Sequence, residues 1–180
     1  MGRQAGSASQ CRAATAEDAP GIARAIVASW QCAYADVLPR SFLDSLDPAA
    51  IQARWQKTIA SDEQQFRRVA TRDGEVVGAC SGGAIRGGAP LPNTAELYSI
   101  NIHPEAWGQG VGTSLLRCAE KAMLDLHFSD ATLWVLSKNL RAQRFYSAAG
   151  WQPDGAQRST THLTGHPLHE LRFRVTLSAR

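Results

Sequence analysis

The glycine-rich segment Trp107–Thr113 restricts the possible folds most, because it joins a strand-like segment to an amphipathic helical one. Its three glycines, Gly108, Gly110 and Gly112, allow positive φ and a close approach of the backbone to a ligand. The first N–H groups of the following helix are unpaired, and the helix dipole favours negative charge there. The segment therefore predicts a strand–turn–helix unit that can bind a phosphate, although a plain strand-to-helix connection would use similar glycines.

Two well-known phosphate-binding loops are excluded by specific residues. A Walker-type loop needs a lysine after its last glycine, whereas Gly112 is followed by Thr113 and the next lysine is Lys121. A dinucleotide-binding fingerprint that begins with Gly108 and Gly110 needs its third glycine at position 113, where Thr113 stands, and an acidic residue at the end of the next strand. Asp130 has about the right spacing but precedes that strand. A phosphate at this turn therefore belongs to another kind of ligand.

The spacing of apolar residues predicts strands and helices along most of the chain. The predicted strands are Cys11–Thr15, Phe66–Thr71, Glu75–Ala84, Glu96–Ile102, Ala131–Leu136, Trp151–Arg158 and Leu168–Leu177. The predicted helices are one capped by Thr15 and Asp18, then Pro39–Ala60, Gln109–Phe128 and Asn139–Ala149. The predicted fold class is therefore α/β (α+β), with a β-α-β-α-β core and a sheet of mixed direction.

Length and composition favour one folded domain. The chain has 180 residues, of which 44% are hydrophobic, and domains commonly have about 100–200 residues. We expect a mobile tail over residues 1–10 and a domain over residues 11–180. No apolar run approaches the roughly 20 residues that span a bilayer, and the N-terminus lacks the apolar segment of a secretory signal. We therefore expect no membrane partner.

The cysteines and histidines give no sign of a metal site. Cys11, Cys32, Cys80 and Cys118 are scattered, without a C-x-x-C pair, which argues against a zinc or redox motif. The pattern suits free thiols in a reducing, cytoplasmic environment. The remaining candidate ligands are the loop histidines His162, His166 and His169. Their spacing would suit one face of a helix, but the glycine and the proline between them interrupt a helix there.

The charge is unevenly distributed. The net charge of +3 is too small to indicate a nucleic-acid partner. Residues 1–136 carry a net charge of −2, whereas residues 137–180 carry +5. The basic C-terminal part is consistent with an anionic ligand and equally with a solvated basic face.

Two motifs at a fixed mutual distance carry a family resemblance. In the first, the strand that ends in Ile100–Pro104 leads into Trp107–Gly112. The second consists of Leu133–Leu136, Asn139, Arg141-Ala142, Phe145-Tyr146 and Gly150-Trp151. Together they resemble the GNAT superfamily of acetyl-CoA-dependent N-acetyltransferases over about Glu96–Trp151. The one departure is Trp107, which stands where the family usually has Arg or Gln.

The resemblance implies an N-acetyltransferase that moves an acetyl group from acetyl-CoA to a primary amine by direct attack, on a mostly antiparallel sheet flanked by helices. The cofactor-binding positions that it implies are Ile100, Asn101, Ile102, Trp107, Gly108, Gln109, Gly110, Val111, Gly112, Thr113 and Asn139. Asn139 can equally be a helix N-cap, and Trp107 a packing residue at the strand–helix corner.

The reaction needs a base, because a protonated amine has no free lone pair, and an acid for the leaving thiolate. Tyr146 matches the family tyrosine that protonates the sulfur, although a tyrosine in this apolar stripe could simply be core. Glu96 lies where some family members have a carboxylate base, and burial would raise its pKa, whereas other members use a water chain. The aromatic residues Trp30, Tyr34 and Trp55 are expected to be mostly core, with some of them near the acceptor.

The expected partner is an amine-bearing small molecule or protein, with no metal cofactor, and the chain is expected to be a monomer or homodimer. Two other functions stay open. One is a non-catalytic acyl-CoA-binding or sensor domain with the same fold. The other is a nucleotide-dependent enzyme, which ATP or NAD would stabilise and coenzyme A would not.

Overall fold

The computed structural model describes residues 9–61, 65–87, 91–161, 164–165 and 167–178. The strands are β1 (Gln10–Ala13), β2 (Gln65–Arg72), β3 (Glu75–Ala84), β4 (Thr94–Ile102), β5 (Asp130–Leu136), β6 (Gln152–Thr160) and β7 (Leu168–Thr176). The helices are α1 (Ala19–Ala33), α2 (Arg40–Asp44), α3 (Pro48–Ile59), α4 (Val111–Asp125) and α5 (Leu140–Ala148). None of the described helices is long and apolar enough to cross a membrane.

The strands form one seven-stranded sheet in the order β1-β2-β3-β4-β5-β7-β6. Every neighbouring pair is antiparallel except β4 and β5. These two central strands run parallel and pair only where Thr94–Leu97 faces Asp130–Leu133. Their C-terminal parts are not paired with each other, so the sheet opens in the middle. The mixed, mostly antiparallel sheet flanked by helices confirms the predicted fold class.

Helices cover both faces of the sheet. The α4 side has a buried cluster that includes Leu115 and Met123 from α4 and Leu97 from β4. The α1 side has a second cluster that includes Ile22 and Trp55. Because strand side chains alternate between faces, the neighbours of each buried α4-side residue point toward α1. This alternation determines which strand residues lie on the α1 side of the sheet and which lie on the α4 side.

The predicted helix Pro39–Ala60 is two helices, α2 and α3, separated by a short connection. The Asp47 carboxylate accepts a hydrogen bond from the Ala49 N–H at 2.8 Å and caps α3. Pro48 then occupies the first helical position, where its missing N–H costs nothing, whereas inside a longer helix it would break the hydrogen-bond pattern. The bounds of the other predicted elements differ from the structure by a few residues.

The expectation that all four cysteines are free thiols is wrong. Cys11 on β1 and Cys118 on α4 form a disulfide, whereas Cys32 and Cys80 are free. The two partners are 107 residues apart in sequence and become neighbours because the pairing of β1 with β2 brings β1 over α4. The predicted tail over residues 1–10 lies outside the described residues as far as residue 8, and Gln10 already belongs to β1.

Candidate active site

A cavity of about 640 Å³ occupies the gap between β4 and β5. Residues 97–102 of β4 and residues 133–136 of β5 form its side walls. The glycine turn closes one end, and residues of α1, β6 and β7 line the other, which we call the cofactor end and the acceptor end. The predicted site residues that line the cavity are Ile100, Asn101, Ile102, Trp107, Gly108, Gly110, Gly112, Thr113, Asn139 and Tyr146.

Three predicted site residues do not line the cavity. The Gln109 side chain donates a hydrogen bond to the Glu105 carbonyl at 2.7 Å, so it is engaged with the backbone outside the cavity. Val111 is the first residue of α4, and its side chain is fully buried in the cluster on the α4 side of the sheet. Only backbone groups of these two residues are available to a ligand. Glu96 is the third residue that does not line the cavity.

The turn has the backbone conformation that its glycines predict. Gly108 and Gly110 adopt φ of 72° and 79°, in the left-handed region that favours glycine. No heavy atom lies within 4 Å of the position that a Cβ would occupy at either residue. At Gly112 a Cβ would lie 3.3 Å from the Phe145 ring. The turn is therefore open toward the cavity, and helix α4 begins immediately after it at Val111.

Trp107 is a packing residue at the strand–helix corner, and it also supports a cation. Its indole N–H donates a hydrogen bond to the Ile102 carbonyl at 2.7 Å. The Arg141 guanidinium lies 3.3 Å from the centroid of the indole ring, on the cavity side. Arg141 has no ion pair or hydrogen bond with any residue that the structure describes. Partial burial lowers the pKa of Arg141.

The two candidate asparagines both have structural partners. The Asn139 carbonyl oxygen accepts a hydrogen bond from the Ala142 N–H at 3.0 Å, which makes Asn139 the N-cap of α5. Burial raises the pKa of Tyr34, and the Asn139 side chain opposes the rise. The Asn101 side chain accepts a hydrogen bond from the Trp30 indole at 3.1 Å. These contacts tie α1 and α5 to the cavity walls.

Tyr146 comes from α5 and is buried against the α4-side cluster. Its ring packs between those of Phe145, Trp151 and Phe173, with centroid distances of 5.2 to 6.2 Å. Burial, with smaller effects of Tyr34 and Cys80, raises the pKa of Tyr146 far above its ordinary value. The hydroxyl therefore keeps its proton at neutral pH and can donate it inside the cavity that the residue lines.

Glu96 lies on the α1 side of the sheet, because its neighbour Leu97 packs on the α4 side. The Arg86 N–H donates a hydrogen bond to Glu96 Oε2 at 3.3 Å. Burial raises the pKa of Glu96, while the Arg86 hydrogen bond and the charges of Arg158 and Arg86 oppose the rise and Glu170 adds to it. Glu96 is the only carboxylate on β4, and its pKa is therefore higher than that of an exposed glutamate.

The acceptor end contains two residues that the sequence did not single out, Arg158 and Glu170, which face each other on β6 and β7 and line the cavity beside Trp134. Their only sequence signal was that they lie in the part of the chain after residue 136, whose basic composition does not distinguish a ligand site from a surface. Of the predicted aromatic residues, Trp30 and Tyr34 line the cavity and Trp55 is core.

The loop histidines do not form a metal site in the described structure. His169 lies on β7 and its Nδ1 is 2.9 Å from the Ser159 hydroxyl. His162 and His166 lie outside the described residues. Among the residues that are described, no group of three or more His, Cys, Asp or Glu is arranged to hold a metal ion.

Solved structures define the class of this fold. The PaiA N-acetyltransferase of Thermoplasma acidophilum, solved in complex with coenzyme A, has a TM-score of 0.75 at 19% identity, covering 94% of this chain and 99% of that one. YncA of Salmonella typhimurium, solved with its cofactor acetyl-CoA, has a TM-score of 0.67 at 19% identity, covering 96% of each chain. The fold is therefore that of N-acetyltransferases.

Sequence comparison assigns the family. The model of the acetyltransferase (GNAT) family matches residues 25–151, so the chain belongs to this family. It is also similar to YuaI, an uncharacterized N-acetyltransferase of Bacillus subtilis, with 29% identity over 166 residues, or 89% of this chain and 88% of YuaI. The family resemblance of the two motifs is thereby confirmed.

Proposed function

We propose that this chain transfers an acetyl group from acetyl-CoA to a primary amine by direct attack. The observation that carries the proposal is the open gap between β4 and β5, with the glycine turn at one end and a buried tyrosine in its wall. Two solved neighbours of the same fold contain coenzyme A or acetyl-CoA, which supports the same cofactor here.

At the cofactor end, the backbone N–H groups around Gly108–Gly112 hold the pyrophosphate, and the start of α4 adds its dipole. Arg141, stacked on Trp107, places a cation beside these N–H groups. The unpaired residues of β4, Ile100 to Ile102, offer backbone groups to the pantetheine arm and the thioester carbonyl. Asn139 keeps the start of α5 in position beside the arm.

In the chemical step, Glu96 accepts the proton of the acceptor ammonium, directly or through a water chain. The free amine attacks the thioester carbonyl, and backbone N–H groups stabilise the oxyanion. Tyr146 gives its proton to the departing sulfur as the C–S bond breaks. The products are the N-acetylated amine and coenzyme A with a free thiol.

A Tyr146→Phe variant tests the acid. Removing one general acid costs about 10²-fold or more in kcat, whereas the affinity for coenzyme A should be unchanged because the ring and its packing remain. Free-thiol release with saturating acetyl-CoA and an amine measures turnover, and calorimetry measures coenzyme A binding. Unchanged turnover in a folded variant would remove Tyr146 from the mechanism.

The alternative is a non-catalytic acyl-CoA-binding or sensor domain with the same fold. It predicts tight binding of coenzyme A and no thiol release with any amine in a broad panel. A nucleotide-dependent enzyme instead predicts a rise in melting temperature with ATP or NAD and none with coenzyme A. At a ligand concentration of 100 times Kd the expected stabilisation is about 2.7 kcal/mol, which a thermal melt detects easily.

The proposed reaction belongs in the cytoplasm, where acetyl-CoA and amine acceptors are both available. The free Cys32 and Cys80 fit that compartment, whereas disulfides such as Cys11–Cys118 are uncommon there. The described lining residues of the cavity all come from this chain, and we keep both monomer and homodimer as assemblies.

A further inference from the structure

The acceptor end of the cavity is built by strand register. Trp134 on β5 faces Arg172 on β7, and Glu170 on β7 faces Arg158 on β6. Leu171, next to Glu170, packs on the α4 side, so the side chains of Glu170 and Arg158 are on the α1 side with Glu96. Glu170 and Arg158 line the acceptor end of the cavity, and Glu96 lies on the same face of the sheet outside the lining.

The guanidinium of Arg158 is fixed through its Nε–H group, whereas its terminal NH₂ groups are available to a ligand. Its Nε–H donates a hydrogen bond to Glu170 Oε2 at 2.6 Å, and its guanidinium carbon lies 4.3 Å from the centroid of the Trp134 ring. Its two terminal NH₂ groups make no hydrogen bond to any residue in the described part of the chain. The side chain is 39% exposed and lines the cavity. An oriented guanidinium with free terminal donors is the geometry that binds a carboxylate or a related oxyanion.

The charges around Arg158 complement an ammonium as well as an anion. The charges of Arg158 and Glu170 act in opposite directions on the pKa of Glu96, Arg158 lowering it and Glu170 raising it. Glu96 attracts the ammonium of an acceptor, while the free donors of Arg158 attract a negative group on the same molecule. Because Glu170 balances the charge of Arg158, the selectivity comes from the terminal donors, which a second ammonium or an apolar group would leave without an acceptor.

From this arrangement we infer that the acceptor is a small zwitterion, an amine that carries a carboxylate or a similar oxyanion close to it, and that Arg158 binds the anionic group. This inference rests on the proposed acetyl transfer and names its substrate class. The cavity of about 640 Å³ also has to hold the pantetheine arm, which favours a small acceptor. The transfer acetylates the amine and leaves the carboxylate unchanged.

The experiment compares acceptors that differ only in the anionic group. α-Amino acids are paired with their decarboxylated amines, and thiol release is followed at fixed, saturating acetyl-CoA. In the wild-type protein, kcat/KM for at least one amino acid should exceed that of its amine by about 10-fold or more, which is the effect of one hydrogen-bonded charge. Equal or better use of the decarboxylated amine throughout the panel would overturn the inference.

An Arg158→Gln variant then assigns the contact. It should raise KM for the preferred amino acid by about 10- to 100-fold, leave KM for acetyl-CoA unchanged and barely affect the decarboxylated amine. Arg158→Lys should recover part of the loss. The matched control is Arg172→Gln, because Arg172 lies on the same face near Trp134 but is paired with Asp154 and does not line the cavity. Kinetics like the wild type are expected for it.

The results separate the two proposals. Thiol release with polyamines or peptides but with no amino acid overturns the zwitterionic acceptor and keeps the acetyltransferase. Tight coenzyme A binding without release for any amine overturns the acetyltransferase itself. If Arg158→Gln does not fold, the wild-type comparison of paired acceptors still decides the question.

Discussion

The two ends of the cavity are built in different ways. The cofactor end comes from two short stretches, residues 100–113 and 139–146, and the lining includes the glycines Gly108, Gly110 and Gly112, which offer backbone groups alone. The acceptor end combines side chains of α1, β4, β5, β6 and β7, with Trp30 and Glu170 at the extremes of the sequence. A subsite that uses backbone groups needs glycines at fixed spacing in one stretch of the chain, so its pattern is visible in the sequence. A subsite that uses side chains from several strands depends on how the strands pair in the sheet, which the sequence does not show directly.

The largest effect is expected at the acceptor end, from Glu96→Gln. If Glu96 is the base, kcat should fall by about 10²-fold. The raised pKa of Glu96 also predicts an acidic limb in the wild-type pH profile, centred above the ordinary value of 4.5, that the variant lacks. Stopped assays of thiol release between pH 5 and 9 check both. Glu75→Gln, at an exposed residue paired with Arg24, is the control that should change neither.

The same variant separates function from stability. Because burial raises the pKa of Glu96, the folded protein keeps this proton at a pH where the unfolded chain has lost it. Ionised Glu96 therefore costs stability as the pH rises above 4.5, and Glu96→Gln should be at least as stable as the wild type at pH 7. Urea unfolding at pH 5 and pH 7 measures this. A less stable variant at pH 7 would contradict the assignment of burial as the cause.

A smaller effect is expected at the cofactor end, from Gly110→Ala. Alanine at positive φ costs about 1–2 kcal/mol of stability, and the altered turn should raise KM for acetyl-CoA by about 10-fold, or about 1.4 kcal/mol. Gly74→Ala is a matched control, because Gly74 has a similar φ of 84° and equally open space in the β2–β3 hairpin. Both variants should lose similar melting temperature. If Gly110→Ala alone raises KM for acetyl-CoA, the turn contributes to cofactor binding. If neither variant raises it, the turn is an ordinary connection between a strand and a helix.

The smallest effect is expected from Arg141→Gln. An ion pair between exposed groups contributes about 0.2–1 kcal/mol, so KM for acetyl-CoA should rise by up to about 5-fold at low salt, and less at high salt. Arg144→Gln, one turn along α5 at an exposed position, controls for net charge. An equal effect of the two variants would show that Arg141 acts only through general charge, and that Trp107 holds it for no specific contact.

Much of the fold and half of the site could be predicted from the sequence. The alternating apolar residues of β4 and the apolar stripe of α4 define the central unit, and the glycines of the turn locate the cofactor end. The break between α2 and α3 was missed because the apolar spacing runs across Pro48. The Cys11–Cys118 pair was missed because only the pairing of β1 with β2 brings the two residues together.

The acceptor end was missed for a physical reason. Arg158 and Glu170 are a cross-strand pair on β6 and β7, and charged residues of this kind are common on solvated strands. What gives them a candidate role is the position of β7 beside β5, which brings them to the open end of the cavity. The sequence order of the strands does not show that β7, and not β6, takes this place. Tyr146, in contrast, could be proposed from the sequence because the second motif of the family resemblance includes Phe145-Tyr146.

The incomplete pairing of β4 makes residues 99–102 an edge strand enclosed inside the molecule. An edge at the surface of a protein invites another strand to add to it, and it is a common start of aggregation. Here residues of α1 and α5, among them Trp30 and Tyr146, line the same cavity as this edge, so the edge is covered by the protein's own helices. The amide groups of the proposed pantetheine arm could take the hydrogen-bonding place that another strand would otherwise fill.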